Sequence, residues 1–398
     1  MKFNKSGQLA LVALASLLIA LSLSACATLT VDFVYVSSAL AAGSNSYGEI
    51  DVFEVNSESG FMRQIPSSPF LSGGRNPVAE AVSSDNSNLY VVNKDDNTIV
   101  QFVIGKDGKL YSHNTVNTPG IFPLAVTVNG SLLFVADTYE PLPTCSDASP
   151  CPGSVAVYPV GSDGKLGTPA TNADVSGSYW PLLLPSSPSN VIAPTSVATT
   201  PSGAYLYVSA YDQTDGGGYV FGFSVGGDGT LTPLNSGVPF SAGTQPSSIA
   251  ADPSGSYMYV TDAATAKVMS FSVGSGGALS AVSGSPFATG TRPLSIAVDP
   301  GGKYAYVANA QDSTVTAYSL NAGVMTSLGS FATGLEPVAV GIDPSLNHYV
   351  YTANFLGSTV SGFQIQSDGT LFNSQNSPYK SNAQVTALAA IPHGSQKK

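Results

Sequence analysis

The chain has 398 residues, of which only 10% are charged, with 25 Asp and Glu against 14 Lys and Arg. A formal net charge of −11 with no basic stripe excludes nucleic acid as a partner. Three scattered histidines, His113, His348 and His393, leave no set of zinc ligands, and no cofactor is expected.

Residues 1–25 read as an export leader. Lys2 and Lys5 supply a positive start, and the apolar run from Leu9 to Leu23 is short for a bilayer span. Leu23-Ser24-Ala25-Cys26 then places small residues at a cleavage site before a thiol, and resembles the lipobox of bacterial lipoproteins. That resemblance implies a lipid on Cys26 and membrane attachment through it; Ala27, in place of an Asp, points to the outer membrane, facing the periplasm or the exterior. The alternative is a plain leader cut near Ala25 or Ala42. Residues 26–32 form a linker, 33–392 the folded domain and 393–398 a polar tail.

From Phe33 onward one pattern repeats. Tyr- or Phe-rich strands lie at Phe33, Tyr90, Phe134, Tyr207, Tyr259, Tyr306 and Tyr351. Alternating strands of small and branched apolar residues follow Pro77, Pro123, Pro194, Pro246, Pro293, Pro337 and, last, Gln384. A third strand, a Gly turn such as Asp107-Gly108 or Asp368-Gly369, and a weaker outer strand complete each unit. Asp-Gly is read as a tight hairpin turn in which both residues accept positive φ. Four antiparallel strands roughly every 44 to 52 residues, apart from one longer unit, predict an all-β, seven-bladed propeller. The chain opens on a second strand and closes on an innermost one, so the two ends are expected to complete one blade and hide its edges.

Two excursions break the period, both in the third unit. Asp137 to Ser154 carries Cys145 and Cys151, an even pair that reads as a disulfide in an exported chain; Asn172 to Pro194 carries the only Trp. Together with the loop from Tyr211 to Tyr219 they are expected to rim the channel mouth, where Tyr139, Tyr179, Trp180 and Tyr211 offer stacking surface beside Glu140, Asp212 and Asp215. Arg75, Arg292 and Glu336, close before innermost strands, should reach the same face. Trp180 with Leu182 to Leu184 could equally pack the excursion onto the rim. Lys94 to Asn97 and Asp212 to Asp215 lack the spacing of a Ca²⁺ loop and read as solvated turns.

The segments "DPSGSYMYVTD", "DPGGKYAYVAN" and "LYVVNKDDNTIVQFVIGKDGKL" resemble the seven-bladed propeller lactonases, typified by propeller-type 6-phosphogluconolactonase and the Tyr-Val-Thr-Asn-repeat proteins. The resemblance implies a site with Pro-Arg-His at an innermost strand, a Glu after the Asn of a second strand, and further Arg. Here the matching stretches are Pro194-Thr195-Ser196, Pro246-Ser247-Ser248 and Pro293-Leu294-Ser295, and the Asn residues precede Lys94, Ala310 and Phe355. Two functions stand: a non-catalytic, monomeric envelope propeller binding a small ligand, glycan or protein partner, or a diverged lactonase using a carboxylate such as Asp212 or Glu336 as base. The anchor is testable by itself. Cys26→Ser is expected to release the protein from membranes or leave its leader uncut, as read by fractionation and mass; a wild-type protein that is soluble and unlipidated would remove the anchor.

Overall fold

The computed structural model describes residues 30–39, 46–344 and 348–394; the leader, Cys26 and residues 395–398 lie outside them. Seven antiparallel sheets stand around one axis, and their innermost strands are Pro77–Val82, Ile121–Asn129, Ile192–Thr199, Pro246–Ala251, Pro293–Val298, Pro337–Ile342 and Val385–Pro392. We number blades 1 to 7 from the one that contains Thr30–Ser38. In that blade the order from the axis outward is Val385–Pro392, Thr30–Ser38, Glu49–Asn56 and Met62–Gln64. Phe33 pairs with Ile391 and Ser37 with Ala387, so the last strand of the chain seals the first blade. The seven-bladed ring and its closure therefore follow the sequence pattern.

The packing lies between blades rather than within them. Tyr306, Ala308, Val315 and Ala317 of blade 6 share one core with Val340, Val350 and Phe363 of blade 7, and the other seams are built alike. A contact repeated around the ring sets the spacing. In five of the seven blades the glycine of the third-to-fourth-strand turn lies under an aromatic residue at or near the start of the neighbouring blade's second strand; of the other two, Gly164 meets Asn88 and Gly229 meets Val157. A methyl group on Gly108, Gly277, Gly323 or Gly369 would fall 2.6, 2.6, 2.5 or 2.2 Å from ring carbons of Phe33, Tyr205, Tyr257 or Tyr304. Two residues further along those strands, buried hydroxyls reach the same turns: Tyr35 donates to Gly108 O (3.1 Å), Tyr90 to Gly164 O (2.7 Å), Tyr207 to Gly277 O (2.7 Å) and Tyr306 to Gly369 O (3.2 Å). Burial raises these phenols, so each stays a donor.

The turns differ from the tight two-residue hairpin that Asp-Gly suggests. Gly108 N–H bonds to Gly105 O and Gly105 N–H to Lys109 O, while only Gly108 has positive φ, +77°. This is a four-residue turn ending in a left-handed glycine, and Asp107 serves by accepting the Lys109 N–H (3.3 Å). On the same face the Asp-Pro turns are held by their own carboxylates, as where Asp252 Oδ1 accepts the Tyr257 N–H (2.8 Å).

Blade 4 gives an internal control. Its turn glycine, Gly229 (φ +86°), meets only Val157 at 3.1 Å and Ala170 and Leu132 at 3.4 Å, and Phe134 stands where other blades have the tyrosine hydroxyl. Gly277→Ala and Gly229→Ala share the strain of positive φ, which costs more than about 1 kcal/mol; only the first also displaces a ring. Denaturant midpoints are expected to fall further for Gly277→Ala, and equal losses would show that the ring contact does not set the seam.

Candidate functional site at the channel mouth

Loops joining second to third strands, and the crossings from blade to blade, open on one face. The residue before an innermost-strand proline sits at the lip, and at Asn76, Phe122, Arg292 and Glu336 it is left-handed, with φ of 54° to 57°. Each is clamped by the neighbouring loop: the N–H groups of Lys94, Ala310 and Phe355 donate to the carbonyls of Asn76, Arg292 and Glu336. Thr138 Oγ1 does the same for Phe122 (2.6 Å).

A cavity of about 470 Å³ opens at the mouth across blades 3 to 6, lined by Leu124, Thr195, Tyr211, Gln245, Ser247, Arg292, Leu294 and Gln311. It brings Tyr211 and Arg292 together, as their sequence positions suggest. Arg292 Nη1 is bound to Glu336 Oε1 at 2.8 Å. Arg75 lies further round the rim, its Nε 2.6 Å from Asp96 Oδ1 and its own N–H on Asp96 Oδ2 (2.7 Å).

The third-blade excursions are ordered by polar contacts. Cys145 and Cys151 are joined as a disulfide. Tyr139 donates to Asp147 Oδ1 inside that loop (3.2 Å) and packs edge-on against Phe122, ring centres 6.2 Å apart. Burial, then Asp147 and the nearby Tyr211, raise the Tyr139 phenol. Glu140 is buried beside Tyr179, and desolvation raises its carboxyl. Trp180 is only 4% exposed: it pairs with Val155 and joins the core with Leu182 and Leu184, so its ring binds the excursion to the blade and is not offered at the rim. Asn190 donates to Asp212 Oδ2 (2.6 Å) and Asp215 Oδ2 (2.8 Å), stapling the second excursion to the blade 4 loop. Asp212 and Asp215 thus serve loop architecture. The flank of this excursion forms a second hollow of about 280 Å³ whose side chains, among them Leu183, Pro185, Phe221 and Val238, are all apolar.

Glu80, not among the candidate residues read from the sequence, interrupts the pattern of an innermost strand. It is the one charged residue in the seven innermost strands, where the other blades carry Val126, Val197, Ile249, Ile296, Val340 and Leu388. Ser37 Oγ donates to its Oε2, while its Oε1 is shut off from solvent with no hydrogen-bond partner. Burial pushes the carboxyl up to about 7, against the pull of Ser37 and the Ala389 N–H. Ser37 and Ala389 belong to the first and last strands of blade 1, so this carboxyl spans the closure seam. Asp137, packed against Thr118 and Gly120, is pushed to about 8 by burial. The interruption of alternation by Glu80 was the signal available in the sequence.

Both groups have a folded pKa above the ordinary carboxylate value, so the protonated form favours the fold. Their stabilisation is full below the unfolded pKa and is lost as pH rises through about 7 and about 8. Melting temperature is expected to fall between pH 5 and pH 9, and the fall to shrink in Glu80→Gln and in Asp137→Asn. An unchanged slope in both variants would show that neither carboxyl is raised.

Comparison with known proteins fits this geometry. The sequence profile of the seven-bladed β-propeller lactonases matches residues 33–181, 173–334 and 285–384. No curated protein matches in sequence. Among solved structures, a candidate 6-phosphogluconolactonase from Bacteroides fragilis superposes with a TM-score of 0.71 at 21% identity, covering 92% of this chain and 99% of that one. The periplasmic gluconolactonase of Pseudomonas aeruginosa gives 0.68 at 20% identity, with 91% and 99% covered. A protein from Lactobacillus plantarum gives 0.68 at 16%, again with 91% and 99% covered. At these identities the superpositions establish the fold, and the profile, which spans all seven blades, establishes that the chain belongs to the seven-bladed β-propeller lactonase family.

Proposed function

We propose that this protein is an exported, lipid-tethered binding propeller that holds a small polyhydroxylated ligand, of sugar or glycan type, at its mouth without turning it over. The cavity carries the reading. Tyr211 supplies a stacking face, and Gln245, Gln311, Thr195 and Ser247 supply neutral donors and acceptors. Hydrolysing a lactone needs a base for water and donors for the developing oxyanion. The cavity lining holds neither a histidine nor a carboxylate, and the rim carboxylates Asp96, Glu336 and Asp212 are already engaged. The Pseudomonas gluconolactonase, named for a sugar lactone and periplasmic, supports both the ligand class and the exported compartment.

Thr30–Ser38 runs from the far face up to the mouth, so a lipid on Cys26 would hold the far face to the bilayer and leave the mouth free. A monomer suffices for this, since the site is complete within one ring.

A diverged lactonase is the second reading, favoured by family membership and by Glu80, whose carboxyl is poised near neutral pH as a base requires. Assay of 6-phosphogluconolactone and gluconolactone hydrolysis at neutral pH separates the two. Rates at background, with sugar binding that weakens about tenfold in Tyr211→Ala through lost stacking, are expected. Turnover abolished by Glu80→Gln would replace the binding reading with the enzymatic one.

A further inference from the structure

In blades 1, 4, 5 and 7 the third strand is flanked by an outer strand that breaks off, bends away and returns as a second short strand on the same edge. One residue of the third strand faces each bend. Its carbonyl is used in all four blades: Val52, Gly222, Ser270 and Gly362 accept the N–H groups of Ile65, Leu234, Val282 and Ser374 at 2.8 to 3.0 Å. In blades 1, 5 and 7 its N–H is used as well, each time by a serine hydroxyl. Ser68 Oγ accepts from Val52 (2.9 Å), Ser285 Oγ from Ser270 (3.0 Å) and Ser377 Oγ from Gly362 (3.0 Å). Each of these serines precedes a proline and an aromatic residue, as in Ser285-Pro286-Phe287.

Blade 4 departs from this pattern. Its chain reads Gly237-Val238-Pro239-Phe240, one residue longer, and Gly237 stands in the serine's place: its N–H bonds Leu234 O (2.9 Å) as the Ser285 N–H bonds Val282 O (3.0 Å). Among the described residues no hydroxyl therefore meets the Gly222 N–H as one meets its three counterparts. Gly222 is buried and lies in the wall of the hollow of about 280 Å³ beside the third-blade excursion. Every side chain of that hollow is apolar, and Pro181, Pro185, Pro188, Pro233 and Pro239 bring no N–H of their own. Val238, also in the wall, is 49% exposed, so the hollow opens to solvent. An amide donor set among apolar groups is costly until an acceptor reaches it.

We propose that this hollow on the flank of blades 3 and 4 binds a small uncharged molecule with an apolar body and one carbonyl oxygen, a ketone or an ester, whose oxygen accepts the Gly222 N–H. The body lies against Leu183, Phe221, Leu234 and Val238, and the oxygen takes the place that a serine hydroxyl fills in blades 1, 5 and 7. The walls select among oxygen groups. A carboxylate would give up its water with no cation to meet it, and an alcohol would bury an O–H that no side chain of the hollow can accept, whereas a carbonyl needs only a donor. Nothing in this site depends on what the mouth binds.

Calorimetry with 2-octanone, methyl heptanoate and octanoate, joined to NMR of the protein with isotope-labelled glycine, tests this. The ketone or the ester is expected to bind about tenfold or more tightly than octanoate and to move the Gly222 amide resonance, and whichever of the two binds more tightly tells a ketone site from an ester site. Exchanging Asn235–Val238 for the Ser283–Ser285 of blade 5 sets a serine opposite the Gly222 N–H. That variant is expected to melt no lower than wild type and to lose about tenfold in affinity, because the donor is taken. Leu183→Gln serves if the exchange fails to fold, and is expected to weaken binding about tenfold through lost apolar contact. A wild type that binds neither ketone nor ester, octanoate held as tightly as either, an unmoved Gly222 amide, or wild-type affinity in the folded variant each overturns the site.

Discussion

The ring depends on one contact made at five of its seven seams, an aromatic residue of one blade lying over the turn glycine of the next. A blade alone is a four-stranded sheet whose two faces are both apolar, and it is stable only when each face is covered. The glycine turns set how closely the outer parts of two blades approach, and the tyrosine hydroxyls bond the turn carbonyls that this approach would otherwise strand in an apolar seam. Replacing Tyr by Phe134 and letting Gly229 meet aliphatic groups leaves the seam between blades 3 and 4 without that bond. The same seam carries the long excursion and Trp180, which supplies apolar contact there instead.

A scaffold fixed at its outer turns leaves the opposite face free to vary. Two excursions, a disulfide and the Asn190 staple concentrate that freedom on blades 3 and 4, while the lip of the channel keeps one geometry in which residues before the innermost prolines are clamped from behind. The rim is acidic by count but its carboxylates are committed to loops and to Arg75 and Arg292. The mouth cavity itself is lined by Tyr211, neutral polar and apolar groups, and Arg292. That inventory underlies the binding reading proposed above.

Much of this was legible in the sequence. The seven repeats, the closing strand, the disulfide and the face on which Tyr211 and Arg292 meet all follow from period, turn residues and spacing. Three features were not. Which surface Trp180 would face depends on a two-residue outer strand, Trp180–Pro181, too short to leave a pattern. The pairing of Asp212 and Asp215 with Asn190 joins loops 22 and 25 residues apart whose approach no local rule fixes. The left-handed backbone of Phe122 was concealed, because an aromatic residue before proline carries no mark of that conformation. Glu80 differs from these, since a charge inside a strict apolar alternation is visible, but its partners, Ser37 and Ala389, are known only once the ring is closed.

The closing strand also orders events in time. Val385–Pro392 is made last, yet it is the innermost member of the blade begun by Thr30–Ser38, and the His393 N–H meets Val31 O at 2.8 Å. A chain synthesised from its N-terminus therefore cannot seal its ring until nearly the whole polypeptide has been made. Until then Thr30–Ser38 keeps one edge open to stray pairing. Completion of the first blade is thus tied by the connectivity to completion of the whole chain.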